Sequence, residues 1–147
     1  MSAVNAPALA RERGIEVVES RSSRMRHFAS LLSLKLHTDA GERWVEGTVF
    51  EPGSLRLVSL RGVAVEAPLE GTLLVIANED QPGVIGTVGS VLGRRGINIA
   101  NFALGRGSTG AVGVVNIDDA TPAALDEALA EIRHVRSIQD AWIVRLN

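Results

Sequence analysis

The sequence predicts an α+β chain of two units, a small α+β unit over residues 1–70 and a βαββαβ unit over residues 71–147. Three observations predict it. Beyond position 71 the apolar residues switch between strand-like runs and helical spacing, in the order strand, helix, strand, strand, helix, strand. Two helix starts in that half are marked by proline, at Pro82 and at Thr121-Pro122. Finally, the stretch from Glu66 to Glu70, with Pro68 inside it and Gly71 after it, reads as a connection between two units.

In the first unit, Asn5 is placed to cap a short helix with Pro7 in its first turn, running to Arg13 and ending at Gly14. Ile15 to Glu19 reads as a strand. After a polar, Arg-rich stretch, Leu31 to Leu36 and Trp44 to Phe50 read as two strands. Thr38 to Glu42 supplies turn chemistry between them. Leu55 to Val58 and Val63 to Val65 add one or two more. A unit of about 70 residues is too small to hold a robust core alone, so it is expected to lean on its neighbour or on a second subunit.

In the second unit, Thr72 to Ala77 reads as a buried strand. A helix opened by Pro82 then carries Val84, Ile85, Val88, Val91 and Leu92 on one face, and Gly96 ends it. Ile97 to Leu104 alternates as a half-buried strand, a glycine-rich turn follows, and Ala111 to Ile117 is the next strand. Thr121 caps a second helix with Pro122 at its first position, lined by Leu125, Ala128, Leu129 and Ile132. Ile138 to Leu146 closes the unit. This order is the ferredoxin-like split βαβ, with both helices on one face of an antiparallel sheet.

Composition removes several function classes. The chain has 147 residues, 46% hydrophobic and 22% charged, which is globular rather than disordered composition, and is too short for a large catalytic barrel or doubly wound enzyme. A net charge of −2 provides no basic field to recruit nucleic acid or anionic lipid. With no cysteine there is no disulfide or thiolate chemistry. Apolar runs such as Leu73 to Ala77 fall far below the roughly 18 residues that span a bilayer, and the start carries no signal-peptide pattern, so a cytoplasmic protein is expected. His27, His37 and His134 are scattered without partners at metal-ligand spacing, and no metal site is expected.

Two motifs mislead. Gly105-Arg106-Gly107-Ser108-Thr109-Gly110 matches GxGxxG literally, but a strand follows it where a dinucleotide site needs a helix, so it reads as a hairpin loop. A βαββαβ order also invites an RNA-binding reading, yet the chain has no tyrosine and Ala111 to Ile117 offers no stacking surface. Asp118-Asp119 reads as a solvated turn before a helix start, and no nucleophile-base arrangement is legible.

The segment Asn78-Glu79-Asp80-Gln81-Pro82-Gly83-Val84-Ile85-Gly86 leads from a strand into the first turn of a helix. Free backbone N–H groups at such a start, around Gly83 and Val84, accept an anion such as an α-carboxylate. Asp80 offers the opposite charge for an ammonium, with Asn78 as a further polar contact. The competing reading is that Asp80 caps the helix while Pro82-Gly83 forms a turn. Gly86, Gly89 and Gly93 recur on one helix face, where packing within the subunit is the expected reason.

Asp80-Gln81-Pro82-Gly83-Val84-Ile85-Gly86, then Gly96-Ile97-Asn98-Ile99-Ala100 and Leu104-Gly105-Arg106, resembles an ACT domain, a small-molecule sensing module attached to many enzymes of amino-acid metabolism. Val4 to Ala10 through Arg13-Gly14-Ile15 resembles the segment that follows the nucleotide-binding domain in bacterial D-3-phosphoglycerate dehydrogenases of the long type. The resemblance spans essentially the whole chain and implies an intervening domain, comparable to an allosteric substrate-binding domain, followed by an ACT domain. It implies a non-catalytic regulatory fragment without a cofactor of its own. NAD would belong to the absent domains of an oxidoreductase that opens L-serine biosynthesis. The ACT domain would bind L-serine or a related small amino acid as feedback effector through Asp80 and Asn98. Asn78 stands where the family often has a histidine or an aromatic residue. Arg56 occupies a position where some relatives carry a basic side chain for a second anion, while Pro68 replaces another; the Arg21, Arg24 and Arg26 cluster is an alternative anion patch. Asp80 and Asn98 flank a helix of about 12 residues, about 18 Å long, so one ligand touching both would lie between two copies of the chain in a dimer or higher oligomer. A free-standing ACT-domain sensor or partner protein, and the small subunit of a serine-degrading lyase, are the alternatives.

Overall fold

The computed structural model describes residues 5–22, 28, 30–39, 41–108 and 110–146. The first unit holds helix α1 (Ala6–Glu12) and strands β1 (Leu32–Thr38), β2 (Gly41–Phe50), β3 (Ser54–Leu60) and β4 (Val63–Pro68). These strands form an antiparallel meander in the order β1-β2-β3-β4. The second unit runs β5 (Thr72–Asn78), α2 (Val84–Arg94), β6 (Ile99–Gly107), β7 (Gly110–Ile117), α3 (Pro122–Arg133) and β8 (Ile138–Arg145). Its sheet order is β6-β7-β5-β8, antiparallel at every pairing, which is the ferredoxin-like arrangement.

Alternation along β5 shows how the second sheet is covered on both faces, by its own helices and by the first unit's sheet. Leu74 and Ile76 join Val84, Val88, Val91, Leu92, Leu125, Ala128 and Ile132 in a core beneath the two helices. Leu73 and Val75 point the other way, with Val112 and Val114, onto Leu57, Val63, Val65 and Ala67 of the first sheet. The central strands are thus buried on both faces, and the first unit leans on its neighbour, as its size requires. Gly105 makes the contact close, because a Cβ there would lie 2.2 Å from the Ala64 carbonyl oxygen. The GxGxxG stretch is indeed the end of one hairpin strand, its turn and the start of the next, and its first glycine admits β4 rather than a cofactor.

Several local expectations are corrected. Ile15 to Glu19 is irregular and exposed, not a strand: among the described residues no strand pairs with it to take up its backbone hydrogen bonds. Asn5 stands at the N-cap of α1, but its side chain makes no capping bond. Strand β4 continues through Pro68, opposite Arg56, so the connection shortens; an edge strand tolerates the missing N–H. Helix α2 starts at Val84 with Gly83 as its cap, not at Pro82. Its buried stripe is Val84, Val88, Val91 and Leu92, which leaves Ile85 a hundred degrees round the helix and 48% exposed. Gly86, Gly89 and Gly93 do not pack within the subunit, since a Cβ at any of them meets nothing within 4 Å. Thr121 caps α3 as expected, its hydroxyl accepting from the Ala124 N–H at 3.3 Å.

The end of α2 is tied to α3 by charge. Arg95 pairs with Glu131 at 2.6 Å, and Arg94 pairs with the same carboxylate. The hydrogen bond from Arg95 chiefly holds the Glu131 carboxyl below its ordinary value of 4.5; burial opposes it, and the hydrogen bond from Arg94 adds to the lowering.

Candidate functional site

Strand β5 ends at Asn78, and the loop to α2 is anchored by the Glu79 N–H donating to the Ser137 carbonyl at 2.9 Å. Asn78 is only 3% exposed. Its amide nitrogen donates to the Glu79 carbonyl at 2.7 Å, while its side-chain oxygen is buried without a hydrogen-bond partner. Orphaned buried acceptors are costly and therefore informative. A donor brought by a ligand would satisfy this one.

The helix start beside it is also open. Gly83 caps α2 at φ +90°, a conformation that favours glycine, and provides no side-chain acceptor for the first-turn amides. Asp80 does not cap the helix. Its carboxylate instead meets Arg106 from the end of β6, with Nε 3.2 Å from Oδ1. Val84 is buried with its side chain in the helical core, so its backbone is what it offers at this end. A cavity of about 500 Å³ borders the loop, lined by Glu79, Gln81, Val135, Arg136 and Ser137.

Asn78, Asp80, Gly83 and Val84 therefore lie together in one loop and helix start. Asn98 does not join them. It precedes β6 at the opposite end of the sheet, where Ile117 pairs with both Thr72 and Ile99. The seven residues of β5 separate these ends by roughly 20 Å. At that far end Asn98 is engaged: its amide donates to Asp118 Oδ2 at 2.5 Å, and its carbonyl accepts from the Asp118 N–H at 3.1 Å. Nearby, the buried Asn116 amide donates to the carbonyls of Pro68 at 3.1 Å and Glu70 at 3.3 Å. Asn101, Asn116, Asp118, Asp119 and Glu70 help to line a cavity of about 560 Å³ there.

Arg56 belongs to the first unit, with its guanidinium 5.9 Å from the Phe50 ring and its Nε buried without a partner. Of the Arg21, Arg24 and Arg26 cluster, Arg24 and Arg26 lie outside the described residues. Among the described residues no group of three His, Asp or Glu side chains is placed to hold a metal, and no helix is long and apolar enough to cross a membrane. Residue-by-residue reading missed two partners of these residues. Arg106 was hidden inside the misleading glycine motif, although the register Asn78↔Ala111↔Arg106 sets it in the same row of the sheet as the loop. Asp118 reads in the sequence as part of a solvated turn, and nothing in its spacing to Asn98 announces their pairing.

An antiparallel split-βαβ sheet with a polar loop feeding an uncapped helix defines the class: residues 72–134 match the family model described as ACT domain, and the second unit is an ACT domain. Residues 1–61 match the model described as D-3-phosphoglycerate dehydrogenase intervening domain. Proteins named D-3-phosphoglycerate dehydrogenase agree along nearly the whole chain. That of Synechocystis is 34% identical over 97% of this chain and 26% of its own length. The Archaeoglobus fulgidus protein is 34% identical over 97% and 27%, and the Methanocaldococcus jannaschii protein 31% over 97% and 27%. The chain spans about a quarter of the length of these curated relatives, and it matches the C-terminal regulatory region of D-3-phosphoglycerate dehydrogenases.

Proposed function

We propose that this chain is the regulatory part of a cytoplasmic D-3-phosphoglycerate dehydrogenase, without catalytic groups of its own, and that it binds L-serine as a feedback effector at a seam between two ACT domains. NAD belongs to the catalytic domains of the longer enzyme. The observation that carries the reading is the buried, unpartnered oxygen of Asn78 beside the Asp80 carboxylate and the uncapped start of α2. A zwitterion supplies what this end lacks, an ammonium for the two acceptors and a carboxylate for the free amides.

The distance between Asp80 and Asn98 supports a shared site. Strand β6 is an edge of its sheet, with Asn98 just before its start and Arg106, paired by charge with Asp80, near its end. A two-fold antiparallel apposition of two such edges brings the start of one copy against the end of the other. The open face at Gly86, Gly89 and Gly93 leaves room for a close neighbour. Effector binding then joins two protomers and favours one arrangement of whatever they carry, which is a differential contact of the kind allostery requires.

Calorimetric titration with L-serine, glycine and L-alanine tests the reading. The unaltered chain binds L-serine most tightly, and Asp80→Ala and Asn98→Ala each weaken it by roughly 10-fold or more with circular dichroism unchanged. Equal affinity in all three proteins would remove the site.

A further inference from the structure

We infer that Arg106 is an effector-binding residue that holds the ligand's carboxylate, acting with Asp80 as a two-point clamp for an amino-acid zwitterion; this rests on the amino-acid-binding reading above. Strand register places Arg106 and Asn78 in one row across the sheet, on either side of Ala111. Row and face fit the rest of the geometry. Val112, the partner of Gly105, packs toward the first sheet, so by alternation Arg106 and Ala111 lie on the helix-bearing side with the Asp80 loop.

Arg106 meets Asp80 as an ion pair, Nε 3.2 Å from Oδ1. Neither side chain has another partner among the described residues, and both are exposed enough to take a ligand. A ligand ammonium seated on the Asp80 carboxylate, within reach of the Asn78 acceptor, leaves the adjoining carboxylate beside the guanidinium. A guanidinium presents donors in a planar fork that matches a carboxylate, and such charge-assisted bonds are the strong ones. The carboxylate has two oxygens, so one can meet Arg106 and the other the open amides of α2. The Asp80–Arg106 pair itself is largely solvent-exposed, at 44% and 71%, and contributes little stability in the empty protein. Little is lost when a ligand engages both groups.

The probes are L-serine and ethanolamine, the same molecule without its carboxylate. Affinities are read by calorimetry for the first and by ligand-observed NMR at millimolar concentration for the second. Arg106→Ala is expected to weaken L-serine roughly 10- to 100-fold and leave ethanolamine unchanged. Arg106→Lys, which keeps the charge but loses the fork, recovers part of the L-serine affinity. Equal losses for both ligands would assign Arg106 to holding Asp80 in place and overturn the inference. So would an Arg106→Ala chain that binds L-serine as tightly as, or more tightly than, the unaltered one. If Asp80→Ala abolishes binding while Arg106→Ala does not, only this inference fails; if L-serine is ignored by the unaltered chain, the underlying reading fails.

Discussion

The two ends of the ACT sheet differ in how their polar groups are satisfied. At the Asn98 end, Asn98 is locked to Asp118, and Asn116 donates to the carbonyls of Pro68 and Glu70. At the Asp80 end, Asn78 has a buried oxygen without a partner, α2 begins without a side-chain cap, and Asp80 is paired by charge with an exposed arginine. One end is built to be stable alone. The other is left with hydrogen-bonding capacity that a ligand would complete, and natural domains tend to keep such deficits where they bind something.

Stability measurements break this comparison if it is wrong. Asn116→Leu should have the largest effect, about 1–2 kcal/mol lost in chemical denaturation, because the Pro68 and Glu70 carbonyls lose their donor and the Asn101 amide loses its acceptor. Asn78→Leu, similar in volume and in burial, should cost less than about 1 kcal/mol, since its oxygen already has no partner and the Glu79 carbonyl it releases can reach water. Comparable losses for the two would erase the contrast.

A second prediction concerns Asn98. Its amide must leave Asp118 to meet a ligand, so Asp118→Ala should tighten L-serine binding several-fold, corresponding to about 1 kcal/mol for one released hydrogen bond. Weaker binding in calorimetry would show that Asp118 orients Asn98 rather than competes for it.

The smallest effect is electrostatic. The folded state holds the Glu131 carboxyl below its ordinary 4.5, so the contribution of the arginine pairs is fully present above that value and fades as the pH falls through the lowered one. The melting temperature of Glu131→Gln should therefore lie slightly below that of the unaltered chain at neutral pH and approach it in acid. A gap that widens on acidification would contradict this sign.

The sequence made the second unit more legible than the first. Helical spacing of Val84, Val88, Val91 and Leu92, and the Thr121-Pro122 start, translate directly into α2 and α3 because local periodicity and capping are local physics. The failure at Ile15 to Glu19 has the opposite cause: β-like residues become a strand only where a partner strand exists, which no local window reports. Gly105 carried a misleading motif because its real constraint, the Ala64 carbonyl crossing over it, comes from another unit. At the site, the loop from Asn78 to Val84 could be read because strand end and helix start are contiguous. Arg106 and Asp118 could not, since they reach Asp80 and Asn98 through tertiary register alone.

The central claim is that one ligand is held by the Asp80 end of one protomer and the Asn98 end of its partner. Mixing Asp80→Ala and Asn98→Ala chains after dissociation and reassociation tests it most directly. Each mixed dimer would rebuild one intact site and combine both defects in the other. Half of the dimers being mixed, calorimetry should find L-serine sites of unaltered affinity at about a quarter of the unaltered stoichiometry. A mixture that binds no better than its two components would place both residues' contributions within a single chain and contradict the account.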